Sequence, residues 1–149
     1  MDGLRGTVTS VGMSLSELRV LAPGIPGMRP AMREFAEALR VDRVCVHADD
    51  WAASLTRRDP EVEMDALLTG CLLAASRAAA GTPVMPSGLD PDAVFQTLPF
   101  ATDGEDGDWR FVACAAPFLR SPQTTLGLGD TFTSGCLLAL GAAAHGRGT

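Results

Sequence analysis

Apolar and polar positions along this chain recur in two periods, one suited to strands and one to helices. A valine-rich run at positions 41–48 (VDRVCVHA) predicts a strand buried in a parallel sheet. Asp59-Pro60-Glu61 reads as a helix start, with Asp59 at the cap and Pro60 at the first helical position. Behind it Met64, Leu67, Leu68, Cys71, Leu72 and Ala75 form one continuous helical stripe, and Gly81-Thr82-Pro83 stops the helix. A shorter helix follows Pro30, with Met32, Phe35, Ala36 and Leu39 on one face. Positions 93–100 and 109–116 read as two strands joined by TDGEDGD, and a last helix runs from about Asp130 to Ala144. Strands alternating with helices predict an α/β fold: a layered, mostly parallel sheet with flanking helices plus one β-hairpin, in a single domain over residues 1–149.

Charge and composition narrow the possible partners. A net charge of -6 argues against a nucleic-acid or anionic-membrane surface, which needs a basic patch. The longest strongly apolar stretch, 135–144, is half of the ~20 residues that cross a bilayer. The opening MDGLRGTVTS lacks the basic-then-apolar pattern of a signal peptide, so the expected location is cytoplasmic. All 12 basic residues are arginine, and lysine and asparagine are absent. No lysine can therefore clamp a phosphate or form a Schiff base, and no asparagine can orient a metal. Cysteines 45, 71, 114 and 136 form no C-x-x-C pair and lie in apolar segments, which predicts core thiols rather than a zinc site. The acids of TDGEDGD miss the calcium-loop spacing, leaving a solvated hairpin loop.

The strongest chemical signal is Gly127-Leu128-Gly129-Asp130 directly before a helix. Alternate glycines clear side chains from a stretch of backbone N–H groups, and a helix N-terminus adds unpaired amides and a dipole, together an anion site. An ionised Asp130 beside such a cradle can take a proton from an attacking hydroxyl, as phosphoryl transfer requires. The P-loop is excluded because it needs a lysine, and the dinucleotide fingerprint because Phe132 stands where its third glycine belongs. On spacing alone the alternative stays open that Asp130 only caps the helix. Ser14-x-x-Glu17 likewise has the form of a capping box.

Taken together, three segments resemble one family. Positions 10–18 (SVGMSLSEL) resemble the segment bearing its N-x-x-E motif, Val44-Cys45-Val46-His47 a core strand on the nucleotide side, and positions 125–132 (TLGLGDTF) its G-x-G-D motif. The chain thus resembles the C-terminal portion of the ADP-dependent glucokinase/phosphofructokinase family, which has a ribokinase-like fold. The resemblance implies phosphoryl transfer from ADP to glucose or fructose 6-phosphate. It makes Asp130 the catalytic base, and the backbone of Gly127, Leu128 and Gly129 the anion hole. It makes Glu17 a residue that, with Asp130, places Mg2+ on the nucleotide phosphates, and His47 a nucleotide-side residue.

The family's asparagine is replaced by Ser14 here. The smaller lid domain and most of the sugar site belong to the part of the family that precedes this segment. The expectation is therefore that these 149 residues alone do not phosphorylate sugar and that they pair with an N-terminal half or self-associate. The alternative is a non-catalytic pseudo-kinase that binds nucleotide or a partner.

Overall fold

The structure, a computed structural model, describes residues 8–102 and 105–146. The elements are β1 (Ser10–Ser14), α1 (Leu15–Leu21), α2 (Met28–Leu39), β2 (Arg43–His47), β3 (Trp51–Thr56), α3 (Pro60–Ala80), β4 (Glu105–Asp106), β5 (Trp109–Ala115) and α4 (Leu128–Gly146). The five strands form one sheet in the order β1-β2-β3-β5-β4.

The α/β layering is as expected, but the strand directions differ from a mostly parallel sheet. Only β1 and β2 run parallel, while β2–β3, β3–β5 and β4–β5 are antiparallel. The reason is connection length. Helices α1 and α2 give β1–β2 the long crossover that parallel pairing needs, whereas β2 reaches β3 through residues 48–50, a reversal that can only pair strands antiparallel.

Side chains alternate across the sheet with the strand period and build a core on each face. Val44, Val46, Ala53, Leu55, Trp109 and Phe111 join Met32 and Ala36 of α2 and Leu18 of α1. Cys45, Ala52, Val112 and Cys114 face the other way, onto Leu67 and Cys71 of α3 and Phe132 and Cys136 of α4. All four cysteines are buried free thiols, as their apolar settings predicted.

Local signals explain the helix ends. Asp59 caps α3 by accepting from the Glu61 amide at 3.0 Å, and Gly81 ends it at φ +78°, with its amide donating to the Arg77 carbonyl at 2.8 Å. Helix α2 begins at Met28, ahead of Pro30, because a proline in the first turn gives up only a donor that would have no partner there. Positions 93–100 depart from the expected strand. Pro99 removes a ladder donor, and only Val94 pairs, in an isolated bridge to Phe118. Phe100 instead fills the core edge-on against Trp51 and Phe111, at 5.0 and 5.6 Å. The hairpin that does form joins β4 to β5, while Asp103 and Gly104 of its expected loop lie outside the described residues. The opening residues read for a leader pattern also lie outside them, up to residue 7.

Helices α3 and α4 cross in backbone contact. A methyl group on Gly135 would lie 2.8 Å from the Gly70 Cα, and one on Gly70 2.7 Å from the Phe132 carbonyl oxygen. Among the described residues no helix is long and apolar enough to cross a membrane.

Candidate functional site

The C-terminal ends of β1 and β2 and the first turn of α4 converge at one end of the sheet. Helix α4 starts two residues earlier than its sequence pattern indicated, at Leu128. Asp130 therefore sits inside the first turn instead of at the cap. Its carboxylate is exposed and makes no hydrogen bond or ion pair among the described residues. Asp130 is therefore not the cap of α4, although an acidic residue in the first turn also suits the helix dipole.

The bend before the helix is shaped by Gly127, whose φ of +70° lies in the left-handed region that favours glycine. The first intrahelical bond runs from the Thr131 amide to the Gly127 carbonyl at 3.0 Å. The amides of Leu128, Gly129 and Asp130 precede it and have no partner among the described residues. Unpaired donors of this kind, at the positive end of a 19-residue helix, form an electropositive patch.

His47 lies against that turn. A Cβ on Gly129 would meet His47 Cε1 at 3.1 Å and Nε2 at 3.2 Å, so the second glycine is where the imidazole edge needs room. The ring also tilts onto Phe132, with centroids 5.1 Å apart. Burial pushes the His47 pKa below its ordinary value, partly opposed by the negative charges of Glu17 and Asp49. The sign of the pH effect follows. An unfolded imidazole takes its proton near pH 6.5, while the folded ring resists it, so the stabilisation present above that pH is lost as pH falls through the lower folded value. We expect Tm to fall between pH 7.5 and 5.5, and to fall less in His47→Gln. Equal slopes in calorimetric scans would mean that the ring titrates normally.

Glu17 and Ser14 form the capping box of α1. The Ser14 amide and hydroxyl donate to Glu17 Oε2 at 2.6 and 2.8 Å, and the Glu17 amide donates to Ser14 Oγ at 3.3 Å. These bonds, the backbone one foremost, hold the Glu17 pKa below its usual range. Oε1 remains without a partner among the described residues. No three of His, Cys, Asp and Glu come together to hold a metal ion among those residues.

A cavity of about 460 Å3 opens beside this end of the sheet. Its walls are the β2–β3 turn, residues 116–125, the first turn of α4 and a face of α3. That face carries Ala74, Ala75 and Ala78, whose small side chains leave room for a flat group, while His47, Leu128, Gly129 and Phe132 close the other side. The cavity was not legible in the sequence, although the alanine run of α3 is a signal that could have pointed to it. Arg77 was also missed. It reads as a last-turn helix cation, yet its guanidinium turns to the bend, donating from Nη1 to Thr131 Oγ1 at 3.0 Å.

The fold matches solved structures. It superposes on the last common ancestor of ADP-dependent phosphofructokinases from Methanosarcinales with a TM-score of 0.67 and 16% identity, over 92% of this chain and 37% of that one. A phosphofructokinase from Pyrococcus horikoshii OT3, solved with AMP, matches with a TM-score of 0.65 and 20% identity, over 93% of this chain and 38% of that one. An ADP-dependent kinase in complex with fructose-6-phosphate and ADPβS matches with a TM-score of 0.68 and 14% identity, over 92% of this chain and 39% of that one. The chain thus spans little more than a third of the structures it resembles, and at these identities the likeness is one of fold. No family model and no curated protein matches the sequence.

Proposed function

We propose that this chain is the nucleotide-side, C-terminal portion of an ADP-dependent sugar kinase. The observation that carries the reading is the solvent-open Asp130 carboxylate, without a partner among the described residues, beside three unpaired amides on a turn whose Leu128 and Gly129 line a mostly apolar cavity.

In this reading the cavity takes the adenosine, and the phosphates lie against the backbone of Gly127, Leu128 and Gly129, where the Leu128 and Gly129 amides are unpaired among the described residues. Negative charge developing on the transferred phosphoryl group meets donors already fixed in place, so little reorganisation is needed during the reaction. Asp130 accepts the proton of the attacking sugar hydroxyl. His47, neutral near pH 7 because of its burial, packs the turn without adding a charge that would compete for the phosphate.

Magnesium suits the donors present. It keeps several waters and is usually held by one or two carboxylates plus substrate phosphates, and Glu17 Oε1 and Asp130 are both open to it. When bound it would neutralise phosphate charge, with Glu17 holding one of its waters. The acceptor would be glucose or fructose 6-phosphate, supplied to Asp130 by protein beyond this segment or by self-association. These residues on their own are expected to bind ADP and not to turn over sugar.

Calorimetric titration with ADP and Mg2+ tests the reading. Gly129→Val places methyl groups against His47 and over the amides, and is expected to weaken ADP binding by about tenfold or more. In titrations with ADP and no metal, Asp130→Ala should bind as well as the wild type or better, since it removes a like charge. A folded wild-type chain that binds no ADP overturns the proposal. A second reading, a non-catalytic nucleotide-binding module, is favoured by one observation: Ser14 stands in the asparagine position and is fully engaged with Glu17. Sugar phosphorylation by the chain joined with a complementary N-terminal part would overturn that alternative.

A further inference from the structure

Arg77 is a cation with no carboxylate partner among the described residues. It sits in the last turn of α3, where a cation suits the helix dipole and the Gly81 amide closes the backbone. From there the guanidinium reaches across to α4. Nη1 donates to Thr131 Oγ1 at 3.0 Å, and that hydroxyl in turn donates to the Gly127 carbonyl at 2.8 Å. A methyl group on Gly127 would lie 2.7 Å from Nη2 and 2.9 Å from Cζ, so the guanidinium occupies the space that glycine vacates. Its Nε is buried with no hydrogen-bond partner, and no carboxylate pairs with the group among the described residues.

The C-terminal end of α3 favours this charge, but the positive end of α4 opposes it until an anion arrives in front. Two like fields then add, from the amides and from the guanidinium, at a half-buried position that salt still reaches. Building on the nucleotide reading above, we infer that Arg77 is a positioning residue for the nucleotide's phosphates. It props the Gly127–Thr131 bend through Thr131 and makes that bend selective for charged over uncharged nucleosides. It acts through the bend and does not touch the ligand.

The test compares ADP and adenosine on the same chain by calorimetry, at two salt concentrations. Arg77→Gln keeps a donor for Thr131 and loses the charge. It is expected to weaken ADP binding about tenfold, to leave adenosine binding unchanged, and to flatten the salt dependence of ADP binding. Arg77→Lys keeps the charge and should recover part of the lost ADP affinity, and it carries the test if the Gln variant is unstable. Equal losses for ADP and adenosine, or an unchanged ADP affinity in the Gln variant, overturn the inference. A folded wild-type chain that prefers adenosine to ADP overturns it as well. One that binds neither refutes the nucleotide reading and takes this inference with it.

Discussion

Glu63→Ala is expected to lower stability by about 3–5 kcal/mol, and Tm by roughly 10–15 °C for a domain of this size. Glu63 sits in the first turn of α3, and its side chain is fully buried. Arg43 Nε on β2 donates to Glu63 Oε1 at 2.7 Å with a side chain only 4% exposed, and Nη1 donates to Ser10 Oγ on β1 at 3.1 Å. One guanidinium therefore joins two strands and a helix. The pair is imperfectly satisfied, since Arg43 Nη2 and Glu63 Oε2 have no further partner among the described residues. Removing the carboxylate leaves a buried cation with nothing to neutralise it, and that uncompensated charge is what costs most. The double variant Arg43→Met with Glu63→Leu should recover most of the loss, because no charge is left buried. Denaturant melts of the three proteins decide it: a loss below about 1 kcal/mol in Glu63→Ala would mean that water reaches the pair.

Gly135→Val is expected to be nearly as damaging, at about 3 kcal/mol, the upper part of the usual range for overpacking. The first added carbon would lie 2.8 Å from the Gly70 Cα and 2.9 Å from Leu73 Cδ1. A flexible side chain could swing aside, but the backbone of α3 cannot do so without moving the helix. Gly141, on the same helix, has open space where its Cβ would stand. There Gly141→Ala should stabilise by about 0.5–1 kcal/mol, through helix propensity alone. Thermal melts showing similar shifts for the two variants would refute the close contact and leave propensity as the only effect.

How much of this could be read in advance depends on the range of the interaction. Asp59, Pro60 and Gly81 set the ends of α3 through bonds within a few residues, so they were legible, as was the Ser14–Glu17 box. The G-x-G-D bend was legible too, because the φ of Gly127 and the helix after it are local. Strand β3 escaped notice: its Ala52, Ala53, Ser54 and Thr56 are small or polar and are buried only because strands pair on both sides. Ser54 tolerates burial by donating to the Val44 carbonyl at 3.3 Å, a bond that no spacing rule reveals. The same holds at the site. Arg77 and Thr131 are 54 residues apart in the chain, and Arg43 and Glu63 are 20 apart. Nothing in either local pattern names its partner.

The touching backbones of Gly70 and Gly135 have an effect at a distance. Helices α3 and α4 run antiparallel from that crossing, so Ala74 to Ala78 on one and Leu128 to Phe132 on the other face each other roughly 5–12 Å further along, at the helical rise per residue. The crossing is a fulcrum, and the cavity mouth is the end of the lever. Neither glycine lines that cavity, yet any side chain at the pivot would splay the jaws above it. Ligand affinity should thus respond to substitutions at two positions that the ligand never meets.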